Sequence, residues 1–359
     1  MEYKHLGDYI REVNVRNREL KVTNLLGVSI SKEFMPSIAN TIGTDMSTYK
    51  IVEREQFAYG PVTSRNGDKV SIALLDGYDD AIISQAYTVF EVIDHEQLLP
   101  EYLMMWFRRP EFDRYARFHS HGSAREIFDW DELCDVMLPI PSITRQREIV
   151  SEYETLTNRI RLNEQMIQNL EATAQALYRK TFVDNIDKEN LPEGWYITNL
   201  DELYNFQYGK GNNNPDNGGP YPIYGGGGVI GGYDEYNSEN APVIGHIGNC
   251  GALTFAYGKH FVTYNGIICN INDAKWRYFG YLTLKQFDLK SQSRGSTQPF
   301  ISYDMLYELI FVMPPKRIIE LFDEQVLPLY ALVETKLKEN SKISELQSLL
   351  LAKMGRLKQ

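Results

Sequence analysis

The spacing of apolar residues after Pro141 predicts a long helix with a single apolar stripe. Between Ser142 and about Phe182, apolar side chains recur at alternating steps of four and three residues, and Asn163 fills the one gap. This spacing places them in a heptad seam along one side of a helix, which a second helix must cover. The seam consists of Ile149, Tyr153, Leu156, Ile160, Ile167, Leu170, Ala174 and Leu177.

A second helical stretch, from about Lys316 to Leu357, is the candidate partner. Its apolar residues are less regularly spaced, at Ile319, Phe322, Val326, Leu329, Val333, Leu337, Ile343, Leu346, Leu350 and Leu357. At about 1.5 Å per residue, either helix would span roughly 55 to 60 Å, which exceeds the width of a small domain. We therefore predict that the two helices pack on each other, and not that each belongs to a separate globular core.

The chain also repeats itself. His121–Ala124 matches Arg294–Thr297, Trp130–Leu133 matches Tyr303–Leu306, and Pro141 matches Pro314, all at one constant offset along the chain. An apolar run typical of a short strand precedes each proline, and a long helical pattern follows it. An offset of nearly half the chain indicates duplicated domains, because the units of solenoids run to about 20 to 50 residues.

The segments outside the long helices predict loop-rich domains. Residues 184–194 read as a polar linker, and Tyr204–Ile271 is rich in Gly, Asn and Tyr with short apolar runs, which indicates β structure with elaborate loops. The first domain is more mixed, with a strand at Tyr87–Val92 and a helix from Pro100 to Arg117. We predict an α+β fold with two loop-rich domains, 1–141 and 184–313, and two long antiparallel helices, 142–183 and 314–359, related by a pseudo-twofold axis.

Length and composition agree with an ordinary folded protein of at least two domains. The chain has 359 residues, of which 43% are hydrophobic and 24% charged. No apolar run approaches the roughly 20 residues of a membrane helix, and Met1–Arg11 is too polar for a signal peptide. We expect a cytoplasmic protein that does not bind a membrane. Cys134, Cys250 and Cys269 show no paired spacing and are interpreted as core thiols.

The formal net charge of −11 speaks against a protein that coats nucleic acid indiscriminately. A DNA reader of this composition must concentrate its positive charge locally. The stretch from Lys285 to Arg294 does so modestly, although a solvated face would look the same.

Enzyme motifs are incomplete. Gly226–Gly231 has the glycine spacing of a dinucleotide site, but no helical run follows it, so we interpret it as a loop. Gly209-Lys210 and Gly258-Lys259 lack the remainder of a phosphate-binding loop. No amino-methyltransferase or nuclease motif is complete, and we expect no catalytic residue, cofactor or metal site.

The arrangement resembles the specificity subunits of type I restriction-modification systems, in which a long helix follows each target recognition domain. Leu191–Trp195 resembles the start of the family's second recognition domain, Tyr221–Gly232 its glycine-rich loop, and Gly295–Ser302 its signature after the last domain helix. The resemblance covers nearly the whole chain. Pro141–Gln146 and Pro315–Arg317 depart from the family's Pro-x-x-Glu-Gln run, and in the first repeat the signature is degraded to Gly122–Ile127.

The resemblance implies a subunit without catalytic activity that reads a bipartite target on double-stranded DNA. Its partners would be two modification subunits, which hold S-adenosylmethionine and methylate adenine, and restriction subunits, which translocate and cleave DNA with ATP. The helix pair would fix the separation of the two recognition domains. Half-sites about one helical turn apart, roughly 34 Å, face the same side of the duplex.

Loop side chains would contact bases and phosphates. In the first domain we expect contacts from Lys32, Lys50, Arg65, Asn66, Lys69, Ser84, Tyr87 and Arg125. In the second domain we expect them from Lys210, Asn212, Asn213, Asn214, Tyr224, Arg294, Thr297 and Gln298.

Two alternatives of other classes stay open at this stage. One is a self-sufficient DNA methyltransferase or nuclease with diverged motifs, and the other is a β-rich module that binds sugars. Methylation by the purified chain alone would indicate the first, and failure to shift duplex DNA in the presence of modification subunits would indicate the second.

Asn163 and Asn340 lie near the middles of the two predicted helices. Antiparallel helices related by a pseudo-twofold axis meet their counterparts near their midpoints. A paired amide in an apolar seam penalises every shifted register. We therefore predict that the two asparagines fix the register of the helix pair, the alternative being that both lie at the seam's edge in water.

Overall fold

The computed structural model describes residues 3–37, 43–63, 69–121, 126–184, 186–211, 215–295 and 299–355. The chain divides into two compact units. Unit 1 contains residues 1–161 together with 340–359, and unit 2 contains residues 162–339. The division runs through both long helices, so each unit includes one part of each helix.

Unit 1 contains ten strands: β1 (Tyr3–His5), β2 (Ile10–Val13), β3 (Leu26–Val28), β4 (Phe34–Pro36), β5 (Lys50–Glu53), β6 (Phe57–Tyr59), β7 (Ile72–Leu74), β8 (Asp80–Ile83), β9 (Thr88–Val92) and β10 (Met137–Pro139), among the residues described. Four of them form an antiparallel sheet in the order β2-β9-β6-β7, and the others form the two-stranded pairs β1/β10, β3/β4 and β5/β8. Its helices are α1 (Pro100–Phe107), α2 (Pro110–Phe118), α3 (Trp130–Cys134), the first part of α4 (Ile143–Phe182) and the last part of α7 (Lys316–Met354).

The strands of unit 2 are β11 (Tyr196–Asn199), β12 (Tyr204–Tyr208), β13 (Tyr221–Gly225), β14 (Gly228–Tyr233), β15 (Ser238–Gly245), β16 (Leu253–Val262), β17 (Gly266–Ile271) and β18 (Ile310–Met313). Six of them form one sheet in the order β12-β17-β15-β16-β13-β14, and β11 pairs antiparallel with β18. Its helices are the last part of α4, α5 (Arg277–Lys285), α6 (Tyr303–Tyr307) and the first part of α7.

The long helices run antiparallel within each unit, as predicted from their apolar seams. In unit 1 the beginning of α4 and the end of α7 share one core, which includes Ile149, Val150, Leu351 and Met354. In unit 2 the end of α4 and the beginning of α7 share the other, which includes Ala174, Tyr178, Phe182, Ile319, Phe322, Val326 and Tyr330. Each part of each helix therefore packs on a sheet-containing domain as well as on its partner helix.

The duplication seen in the sequence is present in the structure. Helices α3 and α6 have equal lengths and lie at the offset of the sequence repeat, and α4 and α7 begin at that same offset. The sheet order β2-β9-β6-β7 in unit 1 corresponds to β12-β17-β15-β16 in unit 2, with the same antiparallel pairings. The two units are thus built on one plan, and unit 2 adds the hairpin of β13 and β14.

Buried polar side chains fasten each domain to its long helix. Gln146 of α4 is fully buried and accepts a hydrogen bond from the N–H of Leu99 (2.9 Å) at the start of α1. Asp323 of α7 accepts hydrogen bonds from the N–H groups of Tyr278 (3.0 Å) and Phe279 (2.7 Å) at the start of α5. Both side chains satisfy amides that the first turn of a helix leaves without an internal partner.

Two predicted elements differ from the structure. The single helix expected from Pro100 to Arg117 is two helices, because Pro110 holds the preceding Arg109 in extended geometry (φ −71°, ψ 135°). The loop expected at Gly226–Gly231 is mostly strand, since a tight turn after β13 leads directly into β14. The chain continues from this turn as a strand paired with β13.

The three cysteines are free thiols; Cys250 and Cys269 are buried and Cys134 is half-buried. Among the residues described, no helix combines the length and the apolar character required to cross a bilayer.

Candidate nucleic-acid interface

Loops at one end of the unit 2 sheet are joined by backbone hydrogen bonds. After β12, the N–H of Gly209 donates to the Gly266 carbonyl (2.9 Å) and that of Lys210 to the Val262 carbonyl (2.9 Å). The N–H of Tyr264, in the turn before β17, donates to the Gly211 carbonyl (3.1 Å). A Cβ on Gly209 would lie 2.2 Å from the Thr263 carbonyl oxygen, so this close approach requires glycine.

The loop between β15 and β16 joins this group through residues 245–251. The N–H of His246 donates to the Asn265 carbonyl (2.8 Å). A Cβ on Gly226 would lie 2.2 Å from the Ile247 carbonyl oxygen, so the glycine turn after β13 packs backbone to backbone against the same loop. The glycine-rich segment therefore serves close packing of loops.

The signature hairpin of the second repeat is fastened to the same loop. Arg294 and Phe300 form an isolated antiparallel bridge, and Phe300 also bridges Ile247. The N–H of Ile301 donates to the His246 carbonyl (3.0 Å), and the Cys250 thiol donates to the Pro299 carbonyl (2.8 Å). We name residues 209–211, 225–228, 245–251, 263–265, 294–295 and 299–300 the unit 2 loop cluster.

Aromatic rings form the base of this cluster. The ring of buried His246 lies 4.6 Å from that of Tyr208 and 5.3 Å from that of Tyr264, measured between centroids. The Tyr208 ring also packs against Tyr303 (4.8 Å), and its partial burial raises the pKa of the Tyr208 hydroxyl. Tyr264 and Phe300 each keep 39% of their surface exposed, so apolar ring surface faces solvent beside the loops.

Unit 1 contains the corresponding arrangement. His121 and Ile127 form an isolated bridge, the repeat counterpart of the bridge between Arg294 and Phe300, and Ile127 also bridges Val62, as Phe300 bridges Ile247. The N–H of Phe128 donates to the Pro61 carbonyl (2.9 Å) and that of Thr63 to the Glu126 carbonyl (2.9 Å). The loop between β6 and β7 is thus fastened to the first-repeat hairpin as its counterpart is in unit 2.

The structure places some of the predicted contact residues at these loops. Lys210 and Arg294 are exposed members of the unit 2 loop cluster, and Lys69 is exposed in the loop between β6 and β7. Arg294 lies 3.7 Å from Glu308, but both side chains are well exposed, so this ion pair is weak. Ser84 and Tyr87 are half-buried and form a turn before β9, closed by the N–H of Tyr87 donating to the Ser84 carbonyl (3.0 Å).

Eight predicted contact residues lie outside the described residues: Arg65, Asn66, Arg125, Asn212, Asn213, Asn214, Thr297 and Gln298. Their neighbours along the chain belong to the loops just described in both units.

Lys32 and Lys50 are buried, contrary to the expectation that they face DNA. The Lys32 ammonium is 2.7 Å from an Asp113 carboxylate oxygen and also donates to the Phe107 carbonyl, and only 5% of the residue is exposed. Lys50 is 6% exposed and lies 3.7 Å from Glu12. Burial lowers the pKa of both ammonium groups. Lys32 holds the turn between β3 and β4 against α1 and α2, and Lys50 lies on β5 beside Glu12 of β2, so we omit both from the proposed DNA-contacting set.

Tyr224 has a structural position as well. Its ring packs edge to face on that of His260 (5.3 Å), and its carbonyl accepts the N–H of Thr263 (3.0 Å). Burial raises the pKa of its hydroxyl.

Sequence reasoning missed Asn249, Tyr264 and Phe300, although aligning the loop between β15 and β16 with the Arg65–Asn66 loop of the first repeat would have pointed to Asn249.

Asn163 is 1% exposed and Asn340 is half-buried. The division between the units falls between Arg161 and Leu162, one residue before Asn163, and again immediately before Asn340. The pairing of the two amides stays a prediction.

No group of three His, Cys, Asp or Glu side chains suited to hold a metal ion occurs within the part of the chain that the structure describes.

Comparisons with known proteins agree with the duplicated plan. The family model of the type I restriction modification DNA specificity domain matches residues 30–172 and again residues 192–346. The specificity subunit of the type I restriction enzyme HindI from Haemophilus influenzae is 24% identical over 186 residues, which are 50% of this chain and 40% of that relative. This chain therefore matches less than half the length of that curated relative.

Solved structures of similar chains cover nearly the whole length. The S subunit of a type I restriction-modification system from M. genitalium has a TM-score of 0.58 at 16% identity, covering 98% of this chain and 95% of that one. The HsdS subunit from Thermoanaerobacter tengcongensis has a TM-score of 0.39 at 18% identity, covering 99% and 96%. The first of these shows the same fold. Because the family model matches both repeats and most of the sequence, the chain belongs to the type I restriction modification DNA specificity domain family.

Proposed function

We propose that this chain is the DNA-reading subunit of a type I restriction-modification complex and has no catalytic activity of its own. The supporting observation is the duplication: each repeat matches a DNA specificity domain, and each unit fastens the same hairpin to the same inter-strand loop. We assign residues 1–141 and 184–313 as recognition domains and 142–183 and 314–359 as the helices that separate them. Each recognition domain reads one part of a bipartite target.

The partners in this proposal are double-stranded DNA, two modification subunits and restriction subunits. The modification subunits supply S-adenosylmethionine chemistry on adenine, and the restriction subunits supply ATP-driven translocation and cleavage. A net charge of −11 disfavours strong DNA binding by the chain alone, because phosphate contacts need local positive charge. The modification subunits therefore contribute much of the affinity, and this chain contributes the selection of sequence.

The exposed cations of the loops position the backbone of the duplex, and polar loop side chains read base edges. Lys210 and Arg294 in unit 2 and Lys69 in unit 1 are suited to phosphates, since their charged groups reach solvent beside the loops. Asn66 and Asn212–Asn214 keep their predicted role as base contacts in the proposal.

Independence of the two domains provides the test. A host carries the modification subunits together with either the wild-type chain or a variant in which Lys210–Asn214 are exchanged for serines. The methylated sites of its DNA are then sequenced. The exchange should alter one half of the target and leave the other half unchanged. The matched variant, with serines at Arg65–Lys69, should alter only the other half.

Change of both halves by either exchange would contradict the division of labour between the domains. Methylation of DNA by the purified chain alone, without modification subunits, would contradict the proposal that it lacks catalytic activity.

A further inference from the structure

Asn249 lies at the exposed tip of the loop between β15 and β16, in the unit 2 loop cluster. Its neighbours Gly248 (φ +85°) and Gly251 (φ +74°) take left-handed backbone geometry, which turns the chain sharply on either side of it. Among the described residues, its side-chain amide has no hydrogen-bond partner. An exposed amide with free donors and acceptor is thus presented at the point where the loops meet.

The loop that presents Asn249 is held on both sides. The Cys250 sulfur lies within hydrogen-bond distance of the Pro299 carbonyl (2.8 Å) and the His246 carbonyl (3.1 Å), so its single S–H can donate to either, and the N–H of Gly251 donates to the Gly245 carbonyl (3.0 Å). A Cβ on Gly245 would lie 2.2 Å from the Asn249 carbonyl oxygen, so the backbone of the tip is packed directly on the strand. A side chain on such a support reaches a ligand with little ordering cost.

The corresponding loop of unit 1 contains two of the residues that the sequence predicted to contact DNA. Arg65 and Asn66 lie between β6 and β7, as Asn249 lies between β15 and β16, and the Val62–Ile127 bridge matches the Ile247–Phe300 bridge. The duplication therefore assigns an asparagine to the same loop in both repeats.

We propose that Asn249 reads an adenine in the half of the target bound by unit 2. An asparagine amide matches the N6 donor and N7 acceptor of adenine in the major groove. The exposed face of Phe300, on the hairpin bonded to the Asn249 loop, suits the methyl group of the paired thymine. This inference rests on the proposed function, since it requires unit 2 to contact one half of the target.

Selection from a randomised duplex library tests the assignment. The reconstituted complex is prepared with the wild-type chain, with Asn249→Ala, with Asn249→Asp and with Asn205→Ala, and bound DNA is sequenced. Asn205 is an exposed asparagine on strand β12, outside the loop cluster, and Asn205→Ala should keep the wild-type preference. Asn249→Ala should lower the preference for adenine at one position of one half-site about tenfold, within the range for a lost bidentate contact. Asn249→Asp keeps the side-chain shape and should shift that position toward cytosine, whose N4 group donates to a carboxylate.

The sequence preference at the half of the target bound by unit 1 should stay unchanged in every variant, so this preference shows whether each variant is correctly folded and assembled. Wild-type selection without any sequence preference would overturn the proposed function itself. A wild-type preference that Asn249→Ala and Asn249→Asp leave intact at every position would overturn the assignment of Asn249 alone. Uniformly weaker binding to all sequences would also overturn it, since that result indicates a phosphate contact.

Discussion

The buried carboxylate of Asp323 predicts that unit 2 loses stability as pH rises. Asp323 lies on α7 and is 8% exposed. Burial raises its pKa from an ordinary value of 3.8 to about 7, against the opposing effect of hydrogen bonds from the Tyr278 and Phe279 amides and of the Arg277 charge. The folded unit therefore holds a proton that the unfolded chain has already released between these two pH values.

The sign and size follow from linkage. Because the folded pKa is the higher one, the stabilising contribution is fully present below about pH 3.8 and is lost as pH rises through about 7. From pH 5 up to the folded pKa of about 7, the carboxyl is protonated in the folded unit and ionised in the unfolded chain. Each pH unit in this interval lowers the free energy of unfolding by about 1.4 kcal/mol. We expect the free energy of unfolding of unit 2 to fall by about 3 kcal/mol across this range.

Asp323→Asn removes the titration and keeps the shape. The amide oxygen can accept only one of the two backbone N–H groups, so at pH 5 the variant should be less stable by about 1 to 3 kcal/mol. Its stability should not fall further toward pH 8, where the wild-type side chain is ionised. Glu324→Gln, at the exposed neighbouring position on α7, should keep the wild-type pH dependence.

Hydrogen exchange measured by mass spectrometry on peptides covering α5 reports the local free energy at pH 5 and pH 8, after correction for intrinsic exchange rates. Peptides from α1 provide the comparison within the same sample, because the neutral Gln146 side chain accepts the N–H of Leu99 immediately before that helix. If Asp323→Asn retained the wild-type pH dependence in α5, Asp323 would not be the titrating group and the reasoning would be refuted.

Three further predictions concern binding and stability. The chain alone should bind target DNA weakly, and its affinity should rise when modification subunits join; equal affinity in gel shifts with and without those subunits would contradict this. The affinity of the complex should fall about 10³-fold between 50 and 200 mM salt if it makes six phosphate contacts. Lys32→Met should lower the free energy of unfolding, measured by denaturant titration, by about 3 to 5 kcal/mol because Asp113 loses its buried partner. The control Lys69→Met, at an exposed position, should change the free energy of unfolding by about 0.5 kcal/mol or less. A double-mutant cycle on Asn163→Ala and Asn340→Ala should give a coupling energy above about 0.5 kcal/mol, and strictly additive effects would argue against paired amides.

Periodicity predicted the helical part of this fold because its signal is local and repeated. The four- and three-residue steps from Ile149 to Leu177 specify one face of a helix, and the constant offset between the two repeats shows that the unit is used twice. Strand order in the sheets was not predictable, because pairings such as β12 with β17 and β13 with β16 join segments that are distant along the chain.

The candidate site was predicted only in outline. Exposed lysines and buried lysines look alike in a sequence: Lys69 faces solvent, whereas Lys32 is buried with Asp113 of α2, a partner 81 positions away. The importance of Asn249 depends on loops that meet through backbone hydrogen bonds and glycine contacts, which residue type alone does not reveal. Comparing the two repeats loop by loop is the sequence signal that would have found it.

The division of the chain has a consequence for its synthesis on the ribosome. Unit 2 is one uninterrupted segment, residues 162–339, so its complete sequence has been translated while residues 340–359 are still missing. Unit 1 begins first but finishes last, because its core includes Leu351 and Met354 from the end of α7. During translation, part of the apolar surface of unit 1 therefore stays exposed to solvent until the last turns of α7 have been synthesised. A chain stopped after Glu339 would lack the residues of α7 that bury this surface.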